Sequence, residues 1–188
     1  SLHKIAKQNN IFIVEDCAEA IGTISNGVHV GTYCDASTFS FFGNKTITSG
    51  EGGMVLFKNR ETFNRAKLSR DHGMNPNRRY WHEVPGFNFR LTNLQAAVAL
   101  AQLERVEDFI KRKREIASQY DFLLKDQKKL KLPSDPSHDG RNSFWLYTII
   151  IKDLSKGELA KIIETLSMQG IESRPIFYPF HLQPIYSN

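Results

Sequence analysis

Lys45 stands in a setting that favours chemistry: Thr38-Phe39-Ser40-Phe41-Phe42-Gly43-Asn44-Lys45-Thr46-Ile47-Thr48-Ser49-Gly50-Glu51-Gly52-Gly53. The amine follows a short apolar run and is boxed in by glycine, asparagine and hydroxyl residues. Twenty-nine positions upstream, Glu15-Asp16 closes a second apolar run, Ile11-Phe12-Ile13-Val14. A loop amine and a strand-end carboxylate suit a cofactor with an aldehyde and an aromatic nitrogen ring. A lysine made nucleophilic by partial burial or nearby positive charge forms a Schiff base with an aldehyde. Taken alone, Lys45 also reads as a surface lysine on a hairpin.

Other residues extend the pattern. Ligands bind at the carboxyl ends of strands in α/β proteins, which is where Asp16 falls. A carboxylate there could keep a pyridine nitrogen protonated and the ring electron-withdrawing, as pyridoxal phosphate requires. Asp16 reads equally as a cap or turn residue. Glu19 lies one helical turn further on, as a pocket residue or as a solvated first-turn acid. Strand alternation could send the Ser40 hydroxyl toward a phosphate or into a backbone hydrogen bond. The glycine run Ser49-Gly50-Glu51-Gly52-Gly53 is neither a Walker loop nor a dinucleotide fingerprint. No H-E-x-x-H, C-x-x-C or G-x-S-x-G spacing occurs, so neither a metal site nor a hydrolase triad is expected.

These residues need elements to hold them. The spacing predicts a helix over residues 1–10 and a buried strand over 11–16, since that run is continuously apolar. Two strands, Ala36–Phe42 and Met54–Phe57, flank the lysine loop, and a loop covers Val30–Asp35. Glu61–Arg70 reads as a helix. Asp71–Pro85 is polar, aromatic and irregular, and loops of that length are usually functional. Thr92–Lys125 carries the longest helical pattern, opened by a Thr92–Gln95 capping box. A pattern of this length often bridges domains or kinks midway. Pro133–Asn142 reads as a linker, Phe144–Ile151 and Ile171–Phe177 as strands, and Ser155–Glu158 as a capping box for a helix ending near Gly170.

Composition narrows the class. The 188 residues are 40% hydrophobic and 24% charged, as in ordinary globular proteins, and net charge is +5. The basic run Lys111-Arg112-Lys113-Arg114 sits among acids on a helical pattern and reads as a solvated face. No nucleic-acid partner is expected. No apolar stretch has membrane-spanning length, and no membrane partner is expected. Two cysteines, Cys17 and Cys34, form no disulfide framework. A reducing compartment, the cytoplasm, fits. Helical spacing already under way at Ser1, which is not a methionine, leads us to expect a preceding segment.

Together these segments resemble the DegT/DnrJ/EryC1/StrS sugar aminotransferases. The likeness is carried by Val14-Glu15-Asp16-Cys17-Ala18-Glu19-Ala20-Ile21-Gly22, by Gly31 to Ala36, and by Phe39 to Val55. It continues through Arg70-Asp71-His72-Gly73, Gly86 to Leu91 and Leu94 to Ala97, and ends with Ser173-Arg174-Pro175 and Tyr178-Pro179-Phe180-His181. The resemblance implies an α/β chain. Residues 1–91 would be part of a fold type I large domain with a mixed, mostly parallel sheet. Residues 92–132 would be a long connecting helix, and 133–188 an incomplete, smaller α+β domain.

The resemblance also implies roles. Lys45 would bind pyridoxal 5'-phosphate covalently and shuttle the substrate proton, and Asp16 would pair with the ring nitrogen. Glu19 would lie near the phenolic oxygen, where many relatives carry glutamine, and Ser40 would hold the phosphate. Asn88 would reach the phosphate in a neighbouring subunit, implying a homodimer with shared sites. His72, Arg174 and His181 fall in segments that resemble sugar-nucleotide contacts.

Phe42 to Thr48 is most similar to the branch that aminates carbon 4 of a GDP-linked 4-keto-6-deoxy sugar, with glutamate as donor. UDP- or dTDP-sugars are the alternative substrates. Lys45 argues against the dehydratase branch, which carries histidine there. Family members are about twice as long and supply a phosphate-binding helix start and a ring-stacking aromatic from an N-terminal segment. A truncated, non-catalytic remnant with a dimer or partner surface is therefore the alternative function.

Overall fold

The computed structural model describes residues 2–135 and 138–186. The expected start at Ser1, the Pro136–Ser137 stretch of the expected linker, and the end at Asn188 lie outside the described residues. The chain forms two compact units. One comprises Ser1–Gln119 with Ser134–Leu146, the other Tyr120–Pro133 with Tyr147–Asn188. These units cut the chain elsewhere than at residues 91 and 132.

In the first unit, helix α1 (Leu2–Gln8) leads to strand β1 (Val14–Asp16). A hairpin of β2 (Ile24–Ser25) and β3 (Val28–His29) follows. Asn26 and Gly27 both take positive φ, 47° and 72°, the turn that a two-residue hairpin loop favours. Next come β4 (Ala36–Ser40), β5 (Gly53–Phe57) and helix α2 (Arg60–Arg70), capped by Asn59. The sheet has the order β1-β4-β5, parallel in the first pairing and antiparallel in the second. It is mixed, as expected, with one pairing of each kind rather than mostly parallel ones.

The strand expected to be buried over 11–16 is shorter and more exposed. Only Val14–Asp16 are in the sheet, and Ile11, Phe12 and Val14 are each more than half exposed. Among the described residues β1 is an edge that pairs with β4 alone, and a parallel strand is buried on both faces only where layers cover both.

The helical pattern from Thr92 divides into α3 (Asn93–Leu103) and α4 (Val106–Leu124). The Thr92–Gln95 capping box closes as expected, with Thr92 Oγ1 accepting from Gln95 N and the Gln95 side chain accepting from Thr92 N. Ile110 and Ala117, seven residues apart, form the buried stripe of α4. The core beneath the lysine loop joins Phe41, Ile47 and Ala99, with Ile21, Val106 and Phe109 packed around them.

In the second unit, β6 (Leu130–Lys131) pairs antiparallel with β7 (Ile150–Ile151), and Tyr147 stacks on Tyr120. Helix α5 (Lys156–Met168) opens on the Ser155–Glu158 capping box, and Gly170 beyond its end takes φ 75°.

Two expected strands fail. Of Phe144–Ile151 only Ile150 and Ile151 pair, because Phe144 takes φ 48° and cannot continue an extended run. Ile171–Phe177 forms no strand. A strand needs a partner ladder, and Ile176 and Phe177 stay largely exposed beside none among the described residues. No helix among the described residues is long and apolar enough to cross a membrane.

Candidate active site

Because β1 and β4 run parallel, their carboxyl ends lie at one edge of the sheet. Asp16 is in register with Thr38, and β4 continues to Ser40. With a period of two, Asp16, Thr38 and Ser40 share one face, and Glu15 and Ser37 the other. Asp16 Oδ1 accepts from Ala18 N at 3.0 Å, so the carboxylate shapes the turn after β1 while remaining exposed. Ser40 Oγ accepts from Phe42 N at 3.3 Å. The sheet thus places a carboxylate and a hydroxyl on one face at one edge.

Between β4 and β5 the chain makes a closed loop. Phe41 N donates to Gly52 O, and Ser49 N to Phe41 O. Thr48 Oγ1 donates to Phe41 O, and Thr48 N to Gln102 Oε1 on α3, at 2.8 Å each. Phe41 and Ile47, 5% and 2% exposed, pin the loop to the core from both sides of Lys45. The glycine after the loop is required: a Cβ on Gly53 would lie 2.5 Å from the Phe39 carbonyl oxygen and push β5 off β4.

Held this way, the Lys45 side chain is 12% exposed, with Nζ 3.6 Å from Glu19 Oε1. Nζ also lies 4.2 Å from the centre of the Trp145 ring, within range of a cation–π contact. The indole Nε1 donates to Asn44 O at 2.8 Å, so Trp145 holds both the lysine and the backbone beside it. The sequence carried no local sign of this residue, which comes a hundred positions after Lys45. The only hint was an aromatic pair, Phe144-Trp145, following a linker.

Trp145 is itself anchored to the first unit. Ile24 and Arg141 exchange backbone hydrogen bonds of 2.8 and 2.9 Å. Arg141 makes a forked pair with Glu107 (2.8 and 3.2 Å), and its Nε donates to Gly22 O. This guanidinium holds the Glu107 carboxyl below its usual range. Ser143, 1% exposed, bonds to Thr23 through their hydroxyls.

The basic run on α4 is therefore not all solvated. Lys113 Nζ donates to Trp145 O at 3.3 Å, and burial pushes its pKa down. Arg114 bonds to Asp135 and to Asn142 O. Arg112, paired with Glu115, fits the expected exposed face.

A second residue beyond the expected set is Glu15. Its two carboxylate oxygens accept from the backbone N–H groups of Gly31, Tyr33 and Cys34, each at 2.8 Å. The available signal was an acid inside a short strand, which must find donors. Glu15 ties the 31–34 loop to β1 one residue before Asp16. Glu15→Gln keeps one acceptor oxygen and turns the other toward donors as an amide. The expected loss is about 1–3 kcal/mol of stability, read by urea unfolding. Protease nicking near Tyr33 is expected to rise with it. An unchanged midpoint contradicts this assignment.

Cys17 packs beneath the same region, 3% exposed. Burial first, then the Glu15 and Asp16 carboxylates, push its thiol up to about 11. It stays protonated at neutral pH and is a packing residue rather than a nucleophile.

His72 and Asn88 are held by contacts of their own. His72, at φ 59°, donates its N–H to Phe87 O and accepts at its carbonyl from His82 Nδ1. Asn88 is exposed and bridged to Asp71 through the backbone, and its sequence neighbours Phe87 and Phe89 stack on each other. Arg174 and His181 belong to the second unit. The structure thus brings Lys45 and Glu19 into contact and sets Asp16 and Ser40 on one sheet face. The chemistry of that donor set fits an aromatic aldehyde phosphate: an amine for the carbonyl, a carboxylate for the ring nitrogen, and a hydroxyl for the phosphate.

The chain was also compared with known proteins. The chain is 45% identical over 184 residues to GDP-perosamine synthase of Escherichia coli O157:H7, covering 98% of this chain and 49% of the relative. It therefore spans about half the length of the curated relatives it matches. Helicobacter pylori PseC, an aminotransferase involved in the biosynthesis of pseudoaminic acid, superposes with a TM-score of 0.91 at 29% identity. That match covers 98% of this chain and 50% of PseC. The PLP-form of the putative sugar aminotransferase Spr1654 from Streptococcus pneumoniae gives 0.86 at 26% identity, over 97% of this chain and 48% of that one. A family match running from residue 1 to residue 188 places this chain in the DegT/DnrJ/EryC1/StrS aminotransferase family.

Proposed function

We propose that the protein is a pyridoxal 5'-phosphate-dependent sugar-nucleotide aminotransferase. It moves an amino group from L-glutamate to carbon 4 of a GDP-linked 4-keto-6-deoxy sugar, as in perosamine formation for a polysaccharide or O-antigen. The observation that carries this reading is the Lys45 amine, held between Glu19 and Trp145 at the sheet edge that also presents Asp16 and Ser40. The 45% identity to a GDP-perosamine synthase supports the substrate class.

When bound, the cofactor supplies an electron-withdrawing ring and a carbonyl that carries the amino group from donor to acceptor. The chain's residues do the rest. Asp16 keeps the ring nitrogen protonated. The Ser40 hydroxyl holds the phosphate. The Lys45 Nζ takes the proton from the donor carbon and later returns one to the sugar carbon. Glu19 pairs with that amine. Asn88 reaches the phosphate in the partner subunit of a homodimer, and His72, Arg174 and His181 contact the sugar nucleotide. The reaction is placed in the cytoplasm.

The test uses the full-length protein with glutamate and a panel of GDP-, UDP- and dTDP-linked keto sugars, following 2-oxoglutarate and the amino sugar by mass spectrometry. The expected result is transfer to the GDP-linked 4-keto sugar. Preference for a UDP- or dTDP-sugar, or amination at carbon 3, overturns the substrate assignment. Transfer to none of them makes the protein a non-catalytic remnant.

A further inference from the structure

We propose that Trp145 is a positioning residue for Lys45, its ring face and Glu19 gripping the amine from two sides while its indole N–H fixes the Asn44 backbone. The inference rests on the function proposed above, since it concerns how the amine is presented to a carbonyl. The ring lies 4.2 Å from Nζ and the N–H donates to Asn44 O at 2.8 Å. One side chain thus sets both the end of the lysine and the start of its backbone.

The placement is built, not incidental. The 141–145 segment is fastened to the rest of the unit through Ile24, Glu107, Gly22 and Thr23 on one side of Trp145, and the Lys113 amine holds the carbonyl of Trp145 itself. These attachments fall on Trp145 itself or within four residues of it. A solvent-screened ion pair with the half-exposed Glu19 would leave the flexible lysine stem free to swing. A ring face on a second side removes that freedom. Reaction rates are sensitive to such orientation, because a small misplacement of a reacting atom takes it out of a near-attack arrangement.

The experiment measures how fast Lys45 reacts, without requiring turnover. The full-length protein is mixed with pyridoxal phosphate and quenched with borohydride at intervals. Labelling of the Lys45 peptide is followed by mass spectrometry, with exposed lysines as internal references. Trp145→Phe keeps a ring face and loses the N–H, whereas Trp145→Met fills space without a face. The expected result is about tenfold slower labelling in Trp145→Met and a rate within about threefold of the parent in Trp145→Phe. Thermal melting of both variants separates this from loss of fold.

A fluorinated tryptophan at position 145 keeps the shape and weakens the negative face of the ring, so the rate is expected to change progressively with the number of fluorines. This measurement stands even where Trp145→Met does not fold. Equal rates in parent, Phe and Met proteins, or no response to fluorination, overturn the proposal. No labelling of Lys45 in the parent is a different failure. It removes the proposed chemistry at Lys45, and this inference falls with it.

Discussion

Lys45→Ala is expected to abolish turnover in the full-length protein, by about ten-thousand-fold or more, while leaving the fold in place. The amine has two tasks in the proposed reaction, bonding to the cofactor carbonyl and moving the substrate proton. General acid–base transfer alone contributes about a hundred- to ten-thousand-fold, and the covalent task adds to it. The fold survives because Lys45 contributes no core volume. The residues that pin its loop are Phe41, Ile47 and the Thr48 hydrogen bonds, none of which involves its side chain. The lost ion pair has a half-exposed partner in Glu19 and is worth less than about 1 kcal/mol, and the lost contact with the Trp145 ring adds about 1 kcal/mol. The melting temperature is therefore expected to move by only a few degrees. Turnover that persists in this variant removes Lys45 from the reaction. A collapse in melting temperature makes its role structural instead.

Asp16→Asn is expected to cost about a hundredfold or more in rate with little change in stability. An amide keeps the shape and retains an oxygen to accept from Ala18 N, the one local task the carboxylate performs in the turn after β1. It carries no negative charge, so it cannot hold a pyridine nitrogen protonated, and the electron-withdrawing power of the ring falls. The visible spectrum of the cofactor-loaded protein gives a second readout, since ring protonation changes it. A variant with the parent's rate and spectrum assigns Asp16 to the turn alone. Asp16→Ala separates the two roles further, because it loses the turn contact as well and is expected to lower stability by about 1 kcal/mol.

Much of this site was legible in the residues because its signals are local. The glycine, asparagine and hydroxyl box around Lys45, between two apolar runs, marked a constrained loop, and the strands on either side pair as expected. Both capping boxes were legible for the same reason, since Thr92–Gln95 and Ser155–Glu158 satisfy helix-end N–H groups within a single turn.

What failed depends on partners remote in the chain. Ile11–Val14 looked like a doubly covered strand, but coverage is set by other layers rather than by its own apolarity. Phe144–Ile151 and Ile171–Phe177 have strand composition, yet a strand exists only where another offers a ladder, and Phe144 turns left-handed at the start of the first. The β2–β3 hairpin went unread although Asn26-Gly27 announces it, because two-residue strands carry no alternation to notice. Trp145 is the functional counterpart of these cases. Its contact with Lys45 closes across a hundred residues and leaves no periodicity behind. The roles of Lys45, Asp16, Glu19, Ser40, His72, Asn88, Arg174 and His181 follow the family resemblance, and geometry adds the contacts of Lys45 with Glu19 and Trp145.

The central claim is that Lys45 is the residue that bonds to the cofactor, and one measurement addresses it most directly. The full-length protein is incubated with pyridoxal phosphate, reduced with borohydride and digested, and the labelled peptides are mapped by mass spectrometry. The predicted result is one reduced pyridoxyl group per chain, located on Lys45 and absent from the Lys45→Ala protein. Labelling scattered over many surface lysines, or a stoichiometric adduct on a different lysine, would contradict the account.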